Sequence, residues 1–349
     1  MSLSPAQPAI SPVPLVGRLA PSPTGALHLG NARSFLMAWL ATRLAGGRLV
    51  LRIEDLDGPR IKPWAVDQAQ ADLEYLGLDW DQTAPRQTTR LARYREVIES
   101  LQHRSLVYPC ICSRKEVEAA VSAPHAGEMS TPYPGTCRDR FPDGSAAETA
   151  MQGTGRSAAW RLRLPDNLAA VQFIDQFAGP QRFELAALTG DFVVAKSLTL
   201  PAYQLAVVVD DADQAVNHVL RGDDLLSSTA LQMHLQRVLG LPTPAYLHLP
   251  LVVGADGRRL AKRHGDTRLS LYREQGVAGD RMIGWLAFQS GLIDRNEAMT
   301  PVALLKKVQP SISAGAGVHI DAVAAWIRKC VPAQPLVVTP ETIAAGLGL

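Results

Sequence analysis

The spacing of hydrophobic positions changes several times along the chain, and each change marks an element. After an aperiodic stretch rich in Pro, Ser and Ala at 1–14, VPLVGRLA has the texture of a strand, and small and polar residues follow as a turn. LGNARSFLMAWLATRL at 29–44 then has helical apolar spacing, with Gly46 and Gly47 as its stop. RLVLRIEDLD predicts a second strand that ends in acids. Strand, loop, helix, strand is a βαβ unit, and in an open parallel sheet ligands bind where the strands end. Residues 64–104 predict two amphipathic helices, WAVDQAQADLEYL and TTRLARYREVIESLQHR, split by DWDQTAPRQ.

A different texture starts at Tyr108. Short strand-like pieces (WRLRLP, VQFIDQF, DFVVAKS) alternate with Gly- and Pro-containing loops up to about residue 200, as expected of an α+β insertion. YQLAVVVDDAD and NHVLRGDD bring back β-branched runs that predict strands, a helix follows over about 225–239, and YLHLPLVV predicts another strand. LYREQGV, DRMIGWLAFQSGL and DAVAAWIRKC predict helices in the remainder. The expected architecture is α/β. It has a flexible tail at 1–14, a Rossmann-type catalytic domain over 15–107 and 201–265, an insertion over 108–200, and a helical region over 266–349.

Composition narrows this only in places. With 349 residues and 47% hydrophobic content the chain can bury a large core. Its 35 Lys and Arg against 33 Asp and Glu give a net charge of +2, so any nucleic-acid partner must be met by local patches rather than by net charge. Arg86, Arg90, Arg93 and Arg95 are such candidates, although their spacing forbids one shared helix face. The start lacks the apolar core of a signal peptide and no run approaches the roughly 20 apolar residues of a membrane span, so a cytoplasmic protein is expected. Three of the four cysteines fall within Cys110 to Cys137 and one at Cys330, a poor disulfide framework and a better metal site.

Two stretches carry chemistry. PSPTGALHLGN at 21–31 puts His28 and Gly30 at a predicted helix start, where free N–H groups and the helix dipole favour an anion such as a nucleotide phosphate. Taken alone, it also describes a capped helix with a surface histidine. RLAKR at 259–263 lies near the far end of the sheet-forming sequence, and alone it also describes a solvated basic turn. The pair resembles the HIGH-type and KMSKS-type signatures of class I aminoacyl-tRNA synthetases. Arg18, Ala20, Ser22 and IEDLD at 53–57, with the block at 201–229, resemble the glutamyl subgroup in particular.

The resemblance implies that ATP is held by His28, Gly30, Asn31, Arg259 and Lys262, with His28 and Lys262 the catalytic pair. The loop departs from the usual pattern, since Arg259 stands for its first lysine and Ala261 for its serine. Arg18, Ala20, Ser22, Glu54, Tyr203 and Arg221 are the implied glutamate-binding residues. An arginine reads a carboxylate bidentately but meets the amide of glutamine donor to donor, which favours glutamate. Cys110, Cys112 and Cys137 have plausible zinc spacing; His125 is the fourth ligand that zinc chemistry alone suggests, and three metal-free core cysteines remain an alternative. The resemblance selects Tyr133 instead.

Only residues 266–349 follow the second signature, short of a full anticodon-binding body. This extends the likeness to glutamyl-queuosine tRNA(Asp) synthetases, over about residues 15–295. The implied function is ATP-dependent formation of glutamyl-adenylate and transfer of glutamate to the queuosine base at the wobble position of tRNA(Asp). Mg²⁺ would accompany ATP, Zn²⁺ would be structural, and the protein would be a monomer. A truncated glutamyl-tRNA synthetase acting on the acceptor end, and a non-catalytic zinc-bearing RNA-binding module, are the competing readings.

Overall fold

A computed structural model describes residues 14–56, 61–113, 115–117, 132–258, 260, 267–312 and 318–349. Strand β1 (Val16–Leu19) lies parallel to β2 (Arg48–Leu51), with α1 (Leu29–Leu44) as the crossover between them. After α2 (Pro63–Tyr75), β3 (Gln82–Thr83) adds to the far side of β2, within the stretch expected to be only a connection. A 3₁₀ turn leads into α3 (Leu91–His103), whose apolar face buries Tyr94, Val97, Ile98 and Leu101.

Next comes an antiparallel sheet. Strands β4 (Val107–Cys110) and β5 (Ala159–Leu162) flank α4 (Gly144–Met151); a hairpin of β6 (Val171–Asp175) and β7 (Gly179–Phe183) follows; and β8 (Val193–Ser197) and β9 (Leu200–Pro201) complete the order β4-β5-β8-β9.

The chain then continues as α5 (Tyr203–Asp213), which corrects the expected strand. Its β-branched run is buried on every side from Leu205 to Asp211, so no polar face betrays a helical period. The carboxylates it carries pair with arginines of other segments, Asp210 with Arg90 at 2.9 Å and Asp211 with Arg52 at 2.7 Å, and tertiary context overrides β propensity.

Strand β10 (His218–Gly222), α6 (Leu226–Leu239) and β11 (Ala245–Leu249) form a second parallel βαβ unit. The two parallel pieces meet edge to edge. Asn217 donates its N–H to the Val16 carbonyl at 3.1 Å, and its side-chain oxygen accepts from the Val16 N–H at 2.8 Å. The carboxyl ends of β1, β2 and β10 therefore converge on one crevice, where open α/β sheets place their ligands.

After β12 (Val252–Val253) the chain is largely helical, with α7 (Leu269–Glu274), α8 (Gly279–Gln289), α9 (Pro301–Val308) and α10 (Ile320–Cys330). Strand β13 (Leu336–Val337) pairs in parallel with β12, and α11 (Pro340–Leu347) follows. These C-terminal helices do not form a separate body. Met282, Ile283, Trp285 and Ile327 share one core with Leu36, Met37 and Leu40 of α1. A second core gathers α3, α5 and the antiparallel strands.

Candidate active site

The turn between β1 and α1 builds one end of the crevice. His28 is the N-cap of α1: its Nδ1 accepts from the Gly30 N–H at 3.1 Å, and its own N–H donates to Asn31 Oδ1 at 3.1 Å. With Nδ1 accepting, the neutral ring carries its proton on Nε2. A Cβ on Gly30 would sit 3.0 Å from the His28 ring, so a side chain there would push the imidazole out of its capping geometry. His28 also bridges to Arg268: Leu29 donates to Thr267 O at 3.2 Å, and Leu269 donates to Leu27 O at 2.9 Å. The backbone following RLAKR is thus stitched to the first motif. Arg259 and Lys262 lie outside the described residues.

At the other end, charged groups from three elements are already paired with one another. Arg52 is fully buried, with Nη1 at 2.7 Å from Asp211 Oδ1 and Nη2 at 3.2 Å from Glu54 Oε1. Burial opposes its charge, but Asp211, Glu54 and Asp210 outweigh it and raise its pKa. Arg18 Nε approaches the same Asp211 oxygen at 3.3 Å. Burial raises the Glu54 pKa, while Arg52 and Arg18 hold it back. Tyr203 leaves 37% of its surface open and lines the crevice; desolvation by the surrounding atoms, with the Glu54 charge, raises its pKa.

Arg221 arrives on β10. Its Nη2 donates to Thr229 Oγ1 at 2.8 Å and to Gln232 Oε1 at 2.9 Å, its Nε donates to His248 Nε2 at 3.0 Å, and its buried Nη1 has no partner in the protein.

A cavity of about 650 Å³ joins the two ends. Arg18, Ala20, Ser22, Glu54, Tyr203 and Arg221 line it together with His28, Gly30 and Asn31.

In the antiparallel region, Cys110, Cys112 and Cys137 bring their sulfur atoms within 4.8 Å of one another, Cys112 and Cys137 being 3.5 Å apart. Tyr133 Oη lies 3.4 Å from Cys110 Sγ and 3.9 Å from Cys112 Sγ, and accepts the Cys137 N–H at 2.7 Å. Gly190, at a φ of +62°, lets the Tyr133 backbone pass; a Cβ there would lie 2.5 Å from the Tyr133 carbonyl. The Arg161 guanidinium stacks 3.6 Å over the Tyr133 ring and donates to Cys110 Sγ at 3.2 Å. Burial pushes the Cys112 thiol up to about 12. His125 lies outside the described residues.

Comparison with known proteins identifies the family. Residues 14–308 match the family described as tRNA synthetases class I (E and Q), catalytic domain. The chain is 45% identical over 340 residues to the glutamyl-Q tRNA(Asp) synthetase of Symbiobacterium thermophilum, covering 95% of this chain and 98% of that protein. It is 46% identical over 302 residues to the enzyme of the same name from Rhodopirellula baltica, covering 81% and 87% respectively. The chain belongs to the glutamyl-Q tRNA(Asp) synthetase family.

The fold also matches a solved glutamate tRNA ligase from Elizabethkingia meningosepticum, with a TM-score of 0.74 at 23% identity over 95% of this chain and 68% of that one. Among the described residues, no helix is long and apolar enough to cross a membrane.

For a member of this family, several groups around the cavity went unseen in the sequence. Asp211 joins Arg18 to Arg52, and the run of acids at 210–213 is the signal that could have found it. Arg33 is buried on α1, donates to Pro250 O at 2.6 Å and to Ser290 Oγ at 3.0 Å, and is pulled down to about 10 by burial against the pull of Asp223. Asp175 and His248 lie 73 residues apart and carry no motif. Of the arginines singled out for RNA contact, Arg90 and Arg93 are tied to Asp213 at 2.6 and 3.0 Å, whereas Arg86 and Arg95 are exposed.

Proposed function

We propose that the protein condenses glutamate with ATP to glutamyl-adenylate and transfers the glutamyl group to a hydroxyl of the queuosine cyclopentene ring at the wobble position of tRNA(Asp). The observation that carries this reading is the meeting, in one cavity, of a helix N-terminus with Arg18, Glu54, Tyr203 and Arg221. Glutamate offers two carboxylates and an ammonium group. Arg18 and Arg221 complement the carboxylates, Glu54 the ammonium, Tyr203 adds a hydroxyl, and Ala20 and Ser22 border the same space.

The α-carboxylate attacks the α-phosphorus of ATP and pyrophosphate leaves; the queuosine hydroxyl then attacks the activated carbonyl and AMP leaves. Neither step needs a covalent enzyme intermediate, so positioning and charge stabilisation supply the catalysis. His28 Nε2, Gly30 and Asn31 at the start of α1 serve the phosphates, together with Arg259 and Lys262, and Mg²⁺ accompanies the nucleotide.

The cysteine cluster fits a structural zinc. Four ligands about 2.3 Å from zinc stand roughly 3.8 Å apart in a tetrahedron, and the 3.5 Å, 3.4 Å and 3.9 Å separations among Cys112, Cys137, Cys110 and Tyr133 approach that value. Cys110, Cys112, Tyr133 and Cys137 would hold the ion, which when bound would supply positive charge that favours their deprotonated forms and would serve structure rather than catalysis.

ATP–pyrophosphate exchange run with single amino acids and no tRNA tests the activation step. Exchange with glutamate but not with glutamine or aspartate is expected. Exchange with glutamine at a comparable rate, or with no amino acid, would contradict the pocket assignment.

A further inference from the structure

Besides its bonds to Thr229 and Gln232, Arg221 is reached by a chain of hydrogen bonds that begins outside the parallel sheet. Asp175, the last residue of β6, is fully buried; its Oδ1 accepts from the N–H groups of Phe177 at 3.0 Å, Ala178 at 2.8 Å and His248 at 3.1 Å. Its Oδ2 lies 2.7 Å from His248 Nδ1. A carboxylate can only accept, so Nδ1 carries the proton and Nε2 keeps a lone pair. That lone pair receives the Arg221 Nε–H at 3.0 Å. Burial and the neighbouring Arg221 charge lower the imidazole pKa against the pull of Asp175, in the direction this arrangement requires. With Nε and Nη2 both engaged, Nη1 is the buried donor that has no partner in the protein, on a side chain that lines the cavity.

We propose that Asp175 and His248 are positioning residues that fix the Arg221 guanidinium so that Nη1 meets a carboxylate of the amino-acid substrate. The β6–β7 hairpin thereby sets the geometry of substrate recognition in the parallel sheet. This rests on the reading of Arg221 as a glutamate ligand, and the test separates the two.

Glutamate and ATP KM values are measured by pyrophosphate exchange for Arg221→Ala, His248→Leu, His248→Asn and His248→Gln, alongside thermal unfolding. Asparagine can keep a donor for Asp175 but is too short to reach Arg221; glutamine places an acceptor near the position of Nε2. His248→Leu and His248→Asn should raise the glutamate KM about tenfold or more and leave the ATP KM within about twofold, while His248→Gln recovers most of the loss. If His248→Leu does not fold, the contrast between Asn and Gln decides. Should Arg221→Ala raise the glutamate KM while the Leu or Asn variant does not, the relay is overturned and the site reading stands. A parallel rise in both KM values, or equal losses in Asn and Gln, would reduce His248 to a structural role and overturn the proposal. Should Arg221→Ala leave the glutamate KM unchanged, the underlying site reading fails.

Discussion

In the cavity, buried charges arrive with their partners: Arg52 meets Asp211 at 2.7 Å and Glu54 at 3.2 Å, and Arg18 shares Asp211. In the cysteine cluster, three thiols and a phenol, all groups that become anions, face one another with the Arg161 guanidinium beside them. The first arrangement pairs Arg52 and Arg18 with Asp211 and Glu54 while leaving the buried Arg221 Nη1 without a partner in the protein. The second would carry excess negative charge if its thiols ionised, and a divalent cation would offset it.

Breaking the pairing in the cavity should have the largest effect. Arg52→Met leaves Asp211 and Glu54 buried without their main cation, and unfolding in urea should show a loss of about 3–5 kcal/mol. A loss well under 1 kcal/mol would mean that the network is not the rigid frame described. Next, His28→Ala and Lys262→Ala should each lower pyrophosphate exchange by roughly 10²–10³-fold, because each removes charge stabilisation at the reacting phosphates; Lys262→Ala should leave the unfolding curve unchanged, whereas His28→Ala also loses the N-cap of α1 and should cost about 1 kcal/mol. Wild-type exchange in both would remove them from the ATP site.

The cluster is tested by metal analysis. Purified protein should hold one zinc per chain; Tyr133→Phe should lose zinc to a competing chelator about 10–100 times more readily, and His125→Ala should retain it. Release from the histidine variant alone would show that imidazole is the fourth ligand. The smallest effect belongs to charges paired on the surface. Arg93→Ala removes a partner of Asp213 and should cost no more than about 1 kcal/mol. Arg93 and Arg90 lower the Asp213 pKa, so the stability gained from this pairing is present above the unfolded aspartate value of about 3.9 and is lost as pH falls through the lower folded one. A larger cost, or one that persists in acid, would place Arg93 in a different role.

Residues clustered in sequence were the legible ones. The βαβ start and the helix at 29–44 follow from spacing and glycine stops, and His28, Gly30 and Asn31 are neighbours on one turn whose capping geometry depends on their order. The helix Tyr203–Asp213 was illegible because burial on all sides erases periodicity, leaving β-branched residues to suggest a strand. His248 and Asp175 were invisible for another reason. Each is an ordinary strand residue until the hairpin and β11 are brought together, and no local pattern encodes a contact 73 residues long. The short pairing of β12 with β13 is of the same kind, two residues on each side held by the surrounding core.

The most direct test is transfer of labelled glutamate to three RNAs under identical conditions: tRNA(Asp) carrying queuosine, tRNA(Asp) without it, and tRNA(Glu). The account predicts label on the first alone, with transfer weakening steeply as salt rises while pyrophosphate exchange barely changes, since the RNA backbone with its condensed counterions is engaged only in the tRNA step. Equal labelling of tRNA(Glu), or salt sensitivity confined to activation, would contradict it.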